Sequence, residues 1–238
     1  MSRVTRTLLL TGASSGIGRA IGRQLLAAGH SVVGASRDPC QFQQQHPHFF
    51  PFKLDLSQLN SLPAQMQALQ QQFPALDAVI FAAGAGQFGS LEEFSYRQIE
   101  QLMTLNFTSN AVLTRALIPA LKRKGRADLI YIGSEAALEG SRKGALYCAS
   151  KFALRGFSQA LRAECAKSGV RVALINPGMV KTPFFNTLNF APGDAEGQYL
   201  TAEDVAAAVE YVLHSNPALV IDELNLSPLN KVIQFKKS

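Results

Sequence analysis

Tyr147 and Lys151 stand four residues apart in Tyr147-Cys148-Ala149-Ser150-Lys151, a spacing that puts both on one face of a helix. An ammonium beside a phenol favours the phenolate and draws its pKa towards working pH. Such a phenol gives a proton to a carbonyl oxygen or takes one from an alcohol. Ser134 lies 13 residues upstream, where its hydroxyl could bind the same oxygen. Taken alone, Ser134 reads better as a turn residue closing a strand. A second group of residues suits a different chemistry. Thr11-Gly12-Ala13-Ser14-Ser15-Gly16-Ile17-Gly18 spaces its glycines G-x-x-x-G-x-G. Glycines let the main chain approach a pyrophosphate, and the N-terminus of a following helix offers free N–H groups and a positive dipole end. A plain strand-to-helix turn would use the same glycines.

These residues need elements to hold them. Short apolar runs predict strands at 7–10, 32–35, 52–54, 78–82, 129–132, 170–175 and 219–221. Helical patterns lie between them: 17–28 after the glycine loop, then 58–73, a long 96–121 with Pro119 near its last turns, and a long 145–167 closed by Ser168-Gly169. Thr201-Ala202-Glu203-Asp204 opens the last helix like a capping box, with Asp in place of Glu. Residues 41–51 are polar and carry His46 and His48; they read as a loop, not as a metal site. Strands alternating with helices of ten or more residues imply parallel pairing through crossover helices. The near-continuous apolar strands imply that both faces are covered. The fold class is therefore α/β, a doubly wound sheet. With 238 residues and no internal repeat or linker, a single domain over 1–238 is expected.

The composition sets bounds. At 47% hydrophobic and 17% charged residues the chain can fill a core, which argues against disorder. No apolar run reaches the roughly 18 residues of a membrane span. Leu8-Leu9-Leu10 runs straight into Thr11-Gly12, too soon for a signal-peptide core. Three cysteines without metal-ligand spacing fit a reducing, cytoplasmic location. The net charge of +6 is densest at Lys122, Arg123, Lys124 and Arg126, which end a predicted helix and complement its dipole. With no Trp in the chain, an aromatic platform for nucleic acid is not expected.

Together these residues resemble the short-chain dehydrogenase/reductase family, over essentially the whole chain. The likeness rests on Thr11 to Gly18, Ser134, Tyr147 to Lys151, and Asn176-Pro177-Gly178, in the family's order and approximate spacing. It implies one Rossmann-type domain with a seven-stranded parallel sheet, and hydride transfer between a nicotinamide nucleotide and a carbonyl or alcohol carbon. It makes Tyr147 the acid/base. Lys151 would hold the ribose hydroxyls and lower the Tyr147 pKa, and Ser134 would orient the carbonyl. Asn106 would support a water of the proton relay and touch the cofactor. Gly12, Ser14, Ser15, Gly16, Ile17 and Gly18 would bind the cofactor, as would Asp55 and Leu56 at its adenine ring. Ala83 and Gly84 would leave it room, and Pro177, Gly178, Val180 and Thr182 would line its carboxamide end. One departure stands out. The family carries Asn where this chain has Phe81 in Phe81-Ala82-Ala83-Gly84, and that Asn commonly ties the central sheet together.

The second predicted strand ends Gly34-Ala35-Ser36-Arg37-Asp38. An acidic residue at this point binds a free ribose 2′-hydroxyl, whereas an Arg suits a 2′-phosphate. By the resemblance Ser36 takes the place of the acid and Arg37 follows, so NADP is expected over NAD. Asp38 comes one position late. Residues 181–198 form the family's substrate loop, and Phe184, Phe185, Leu188, Phe190, Pro192 and Gly193 suggest an apolar lid or, equally, core packing. Arg142 and Lys143 precede Tyr147 and would meet an acidic group or solvent. By the resemblance, the two long helices form the dimer face, which implies a homodimer or homotetramer. The expected activity is oxidoreduction of a small-molecule carbonyl or secondary alcohol. A nucleotide-sugar epimerase or dehydratase is disfavoured because only about 60 residues follow Pro177. A non-catalytic NADP-binding sensor is disfavoured because Tyr147 and Lys151 are both present.

Overall fold

Successive residues of each strand point to opposite faces of a sheet, and in this chain both faces are apolar. The computed structural model describes residues 5–39 and 46–236. Seven strands pair in parallel: β1 (Thr7–Thr11), β2 (Ser31–Ser36), β3 (Phe49–Lys53), β4 (Leu76–Phe81), β5 (Ala127–Ile132), β6 (Val170–Pro177) and, after the short β7 (Phe190–Pro192), β8 (Glu223–Leu226). Their order is β3-β2-β1-β4-β5-β6-β8. Leu9, Val79, Leu129 and Val172 face one layer of helices: α2 (Leu62–Gln72), α4 (Ser109–Arg123) and α5 (Ala145–Cys165). Leu8, Leu10, Ile80, Ile130 and Ile175 face the other, formed by α1 (Gly16–Ala27) and α6 (Ala202–His214). The doubly wound α/β architecture read from the sequence is the one observed.

Four boundaries differ from the sequence reading. The third strand starts at Phe49 instead of 52, so the C-terminal part of the expected 41–51 loop is strand. Pro51 is tolerated there because β3 is the sheet edge. Residues 41–45 and Cys40 lie outside the described residues. The seventh strand of the parallel sheet is Glu223–Leu226, not 219–221. The apolar run Leu219-Val220-Ile221 carries the stronger hydrophobic signal, but the polar side chains of β8 have tertiary partners. Asn176 Nδ2 donates to Glu223 Oε1 and to Asn225 Oδ1, both at 2.9 Å, and Glu223 pairs with Arg155. The predicted helix 58–73 splits into a 3-10 turn at Leu59–Ser61 and α2, with Pro63 in its first turn. The predicted long helix 96–121 is α3 (Tyr96–Met103), a π turn (Thr104–Thr108) and α4, with Pro119 inside α4.

Phe81 leaves the sheet well tied. Its ring stacks on Tyr131 of β5 at 4.5 Å and 8°, and the Thr11 Oγ1 accepts from the Ala82 and Ala83 N–H groups at 3.2 and 3.3 Å. At the N-terminal ends of the strands, buried Asp128 accepts from Arg6 at 2.6 Å and from Arg171 at 2.7 Å. Each of these charges is matched, as a charge out of water requires. Lys122 and Arg123 occupy the last turn of α4, where the helix dipole favours them.

Candidate active site

The sheet order reverses direction between β1 and β4, and a ligand crevice belongs at the carboxyl ends of strands at such a point. A cleft of about 1920 Å³ opens there. That exceeds the roughly 300–1,000 Å³ of a pocket for one drug-sized ligand, so two ligands fit side by side. Of the residues expected at a cofactor or catalytic position, all but Asn106 line it.

The floor is main chain. Gly12 has φ +71°, and a Cβ there would lie 2.8 Å from the Ala83 nitrogen; a Cβ on Gly18 would lie 2.2 Å from the Gly12 carbonyl oxygen. Only glycine permits this approach of β1, β4 and α1. Ser15 precedes α1 in extended conformation, with no side-chain cap and no acidic residue in the first turn. The α1 N-terminus therefore presents its N–H groups to the cleft. By contrast, α6 is closed by Thr201 and Asp204 in a capping box. Beyond the end of β2, Ser36 and Arg37 line the cleft and Asp38 does not. Ser36 Oγ is buried without a hydrogen-bond partner. Asp55 Oδ1 accepts from the Ser57 N–H and hydroxyl, which lower its pKa, with a smaller pull from Arg37.

Another wall of the cleft comes from β5 and α5, with Ser134, Tyr147 and Lys151. Tyr147 is buried on α5, with the Ser134 side chain near enough to lower its pKa. Ser134 sits just past β5, where its N–H donates to Asn176 Oδ1 at 3.3 Å. Asn176 thereby links Ser134 to β6 and β8. Lys151 Nζ lies 5.8 Å from the Tyr147 ring centroid and donates to the Ile132 carbonyl at 3.1 Å. Burial pulls the Lys151 ammonium down to about 8. Burial also pushes the Tyr147 phenol up to about 12; Ser134 opposes this, and Cys148 and Glu135 add to it. The expected lowering of the phenol by Lys151 is thus not met in this structure, because removal from water dominates.

Asn106 lies behind the wall, in the π turn. Its Nδ2 donates to the Ala85 carbonyl and to Ser150 Oγ, each at 3.0 Å, while its Oδ1 accepts from the Ala85 N–H. Its own carbonyl accepts from Asn110 Nδ2 at 2.9 Å. The amide ties the loop after β4 to α5 instead of facing the cleft.

A profile of the short chain dehydrogenase family matches residues 6–192. This chain belongs to the short-chain dehydrogenase family. It is similar to an uncharacterized oxidoreductase of Staphylococcus epidermidis, 27% identical over 228 residues, with 94% of this chain and 97% of the relative covered. It is also similar to an NADP-dependent 3-hydroxy acid dehydrogenase of Schizosaccharomyces pombe, 30% identical, covering 96% and 95%. Among solved structures, an alcohol dehydrogenase from the archaeon Thermococcus sibiricus, complexed with 5-hydroxy-NADP, matches with a TM-score of 0.85 and 26% identity. That match covers 96% of this chain and 99% of the other.

This short-chain dehydrogenase lines the cleft around Tyr147 with further residues the sequence reading did not single out. Phe88, in the loop after β4, lies 5.0 Å from Tyr147 ring to ring. The loop 181–198 is pinned by strand β9 (Ile233–Phe235), which pairs antiparallel with β7. Lys231, Ile233 and Phe235 thereby reach the cleft, and Lys231 pairs with Glu135 at 2.8 Å. Phe88 sits alone among glycines in Gly84-Ala85-Gly86-Gln87-Phe88-Gly89, a legible hint. Nothing local marks Lys231 or Phe235. Arg142 and Lys143 also line the cleft, and Lys143 holds φ +61° while its carbonyl accepts from the Gly89 N–H at 2.8 Å.

Proposed function

We propose that this oxidoreductase interconverts a carbonyl compound and its secondary alcohol with NADP(H), and that Tyr147 is the acid/base. The observation that carries the reading is the convergence of Tyr147, Ser134 and Lys151 on one wall of a cleft whose floor is the glycine loop. The donors fit the nucleotide. Ser36 Oγ is a buried hydroxyl lacking a partner, beside the Arg37 guanidinium, where a ribose 2′-phosphate would find two donors. The α1 N-terminus suits the pyrophosphate. The NADP-dependent relative and the structural neighbour bound to an NADP derivative agree with this choice.

The nicotinamide supplies or accepts the hydride when bound. The chain's own groups handle the proton and the oxygen. Ser134 and Tyr147, neighbours on this wall, both address one substrate oxygen. A phenol held above its ordinary pKa is protonated at neutral pH and ready to donate to a developing alkoxide. Lys151 keeps two further N–H donors beyond the one given to Ile132, enough for ribose hydroxyls. Asn106 positions the loop after β4. Phe152 is half-exposed on α5, which supports a homo-oligomer through that helix.

The test is NADPH oxidation by the purified protein against a panel of carbonyls, with NADH in parallel. Turnover with NADPH preferred over NADH is expected. Turnover by NADH alone would overturn the cofactor assignment, and no turnover with bound NADPH would overturn the activity.

A further inference from the structure

Five aromatic rings form a closed circuit at the substrate end. Tyr147 meets Phe88 at 5.0 Å, Phe88 meets Phe190 at 5.0 Å, Phe190 meets Phe185 at 5.8 Å, Phe185 meets Phe184 at 5.2 Å, and Phe184 returns to Tyr147 at 6.0 Å. Three separate segments contribute: the loop after β4, α5, and the loop after β6. All five line the cleft, and the four phenylalanines are only partly buried. The circuit is therefore not a finished core. It leaves apolar ring surface facing the space beside the Tyr147 hydroxyl, and such surface gains by contact with another apolar group. Phe184 is seated by a close approach: a Cβ on Gly86 would fall 2.3 Å from its Cζ.

The charges beside this ring matter as much. Glu135 follows Ser134 directly and is close enough to act on the Tyr147 phenol. Lys231 spends its charge on Glu135. A substrate with a carboxylate next to the reacting carbonyl would bring that group towards the Glu135 carboxylate. Arg142 and Lys143 line the cleft from the loop preceding α5.

Resting on the carbonyl-reductase reading above, we infer that the substrate is an uncharged carbonyl compound with a flat aromatic body next to the reacting carbon, and that Phe88 and Phe184 set this specificity. Oxo acids of similar size are disfavoured.

The test uses the full chain with NADPH and three probes. Acetophenone carries the ring without charge, benzoylformate adds the carboxylate, and 2-butanone removes the ring. The kcat/KM for acetophenone should exceed the other two at least tenfold. Losing a buried ring contact is worth about 10- to 150-fold. Phe88→Ala and Phe184→Ala should each lower the acetophenone to 2-butanone ratio by roughly tenfold or more. Phe88→Leu, which keeps apolar volume, should lower it less and covers the case in which alanine unfolds the protein. In a second arm, 1-phenylethanol is titrated calorimetrically onto the NADPH-loaded wild type and Phe88→Leu. Reduction of benzoylformate over acetophenone, or ratios unmoved by all three variants, overturns the inference and leaves the oxidoreductase reading standing. No reduction of any probe, with 1-phenylethanol binding weakened by Phe88→Leu, overturns the oxidoreductase reading and leaves the ring site standing. Neither reduction nor binding overturns the inference.

Discussion

Where the cleft meets β1 and β2 its surface is main chain, brought close by Gly12, Gly16 and Gly18 of one continuous loop. Beyond Tyr147 its surface is aromatic side chain from three segments far apart in sequence. On the proposed reading the first end would take phosphate oxygens mainly through main-chain N–H groups. The second would recognise a shape, through rings whose size and position can each be changed. One end should therefore respond to substitution sharply and the other by degrees. Tyr147 and Lys151 stand at the junction, where burial governs both pKa values.

The largest effect is expected at that junction. Tyr147→Phe should lower kcat by about 100- to 10,000-fold, the usual contribution of a general acid. NADPH affinity measured by fluorescence titration should stay close to wild type if, as proposed, the glycine loop and Lys151 hold the nucleotide. A variant keeping half the wild-type rate would remove Tyr147 from the chemistry.

At the nucleotide end, Arg37→Ala should weaken NADPH by roughly 10- to 150-fold, the value of about 1.5–3 kcal/mol for a charge-assisted hydrogen bond. NADH, lacking the phosphate, should bind as before. Ser36→Asp should go further by placing a carboxylate against the phosphate. Equal weakening of both nucleotides by Arg37→Ala would mean that another residue makes the choice.

Lys151 tests the cost of burial. Its folded-state pKa lies below the ordinary 10.5, at about 8. Between those values the unfolded chain binds more protons, so stability rises with pH through that window. Lys151→Met should therefore be more stable than wild type at pH 7 without nucleotide, by about 1–3 kcal/mol after losing the bond to Ile132. The gap should narrow as pH rises from 8 towards 10. Thermal unfolding at pH 7 and pH 9.5 reads this; a gap that widens with pH contradicts it.

The smallest effect contrasts two helix starts. Thr201→Ala removes the α6 cap and should cost about 1 kcal/mol of stability. Ser15→Ala removes a side chain that caps nothing in α1 and should cost little stability. Chemical denaturation of both variants distinguishes them. Equal losses would mean that the α1 N-terminus is structural and not a binding surface.

The sequence alone determined what is local. The Tyr147 and Lys151 pair is legible because four residues make one helical turn. The glycine loop is legible because its conformation needs glycine whatever surrounds it. The alternation of apolar strands and helices fixed the doubly wound sheet, because a sheet covered on both faces cannot hide that pattern. What depends on distant partners was not legible. Strand β8 is set by Asn176 and Arg155 rather than by the more apolar 219–221. The π turn at Asn106 interrupts a pattern that reads as one helix, and it turns the amide away from the cleft. Phe81 reads as a lost support until Tyr131 is seen stacked upon it. The aromatic circuit and the Glu135–Lys231 pair join segments far apart in sequence, and β9 pairs with β7 beside them. A ring contact carries no period and no fixed spacing, so only the tertiary structure could decide which of the 15 phenylalanines close the substrate end.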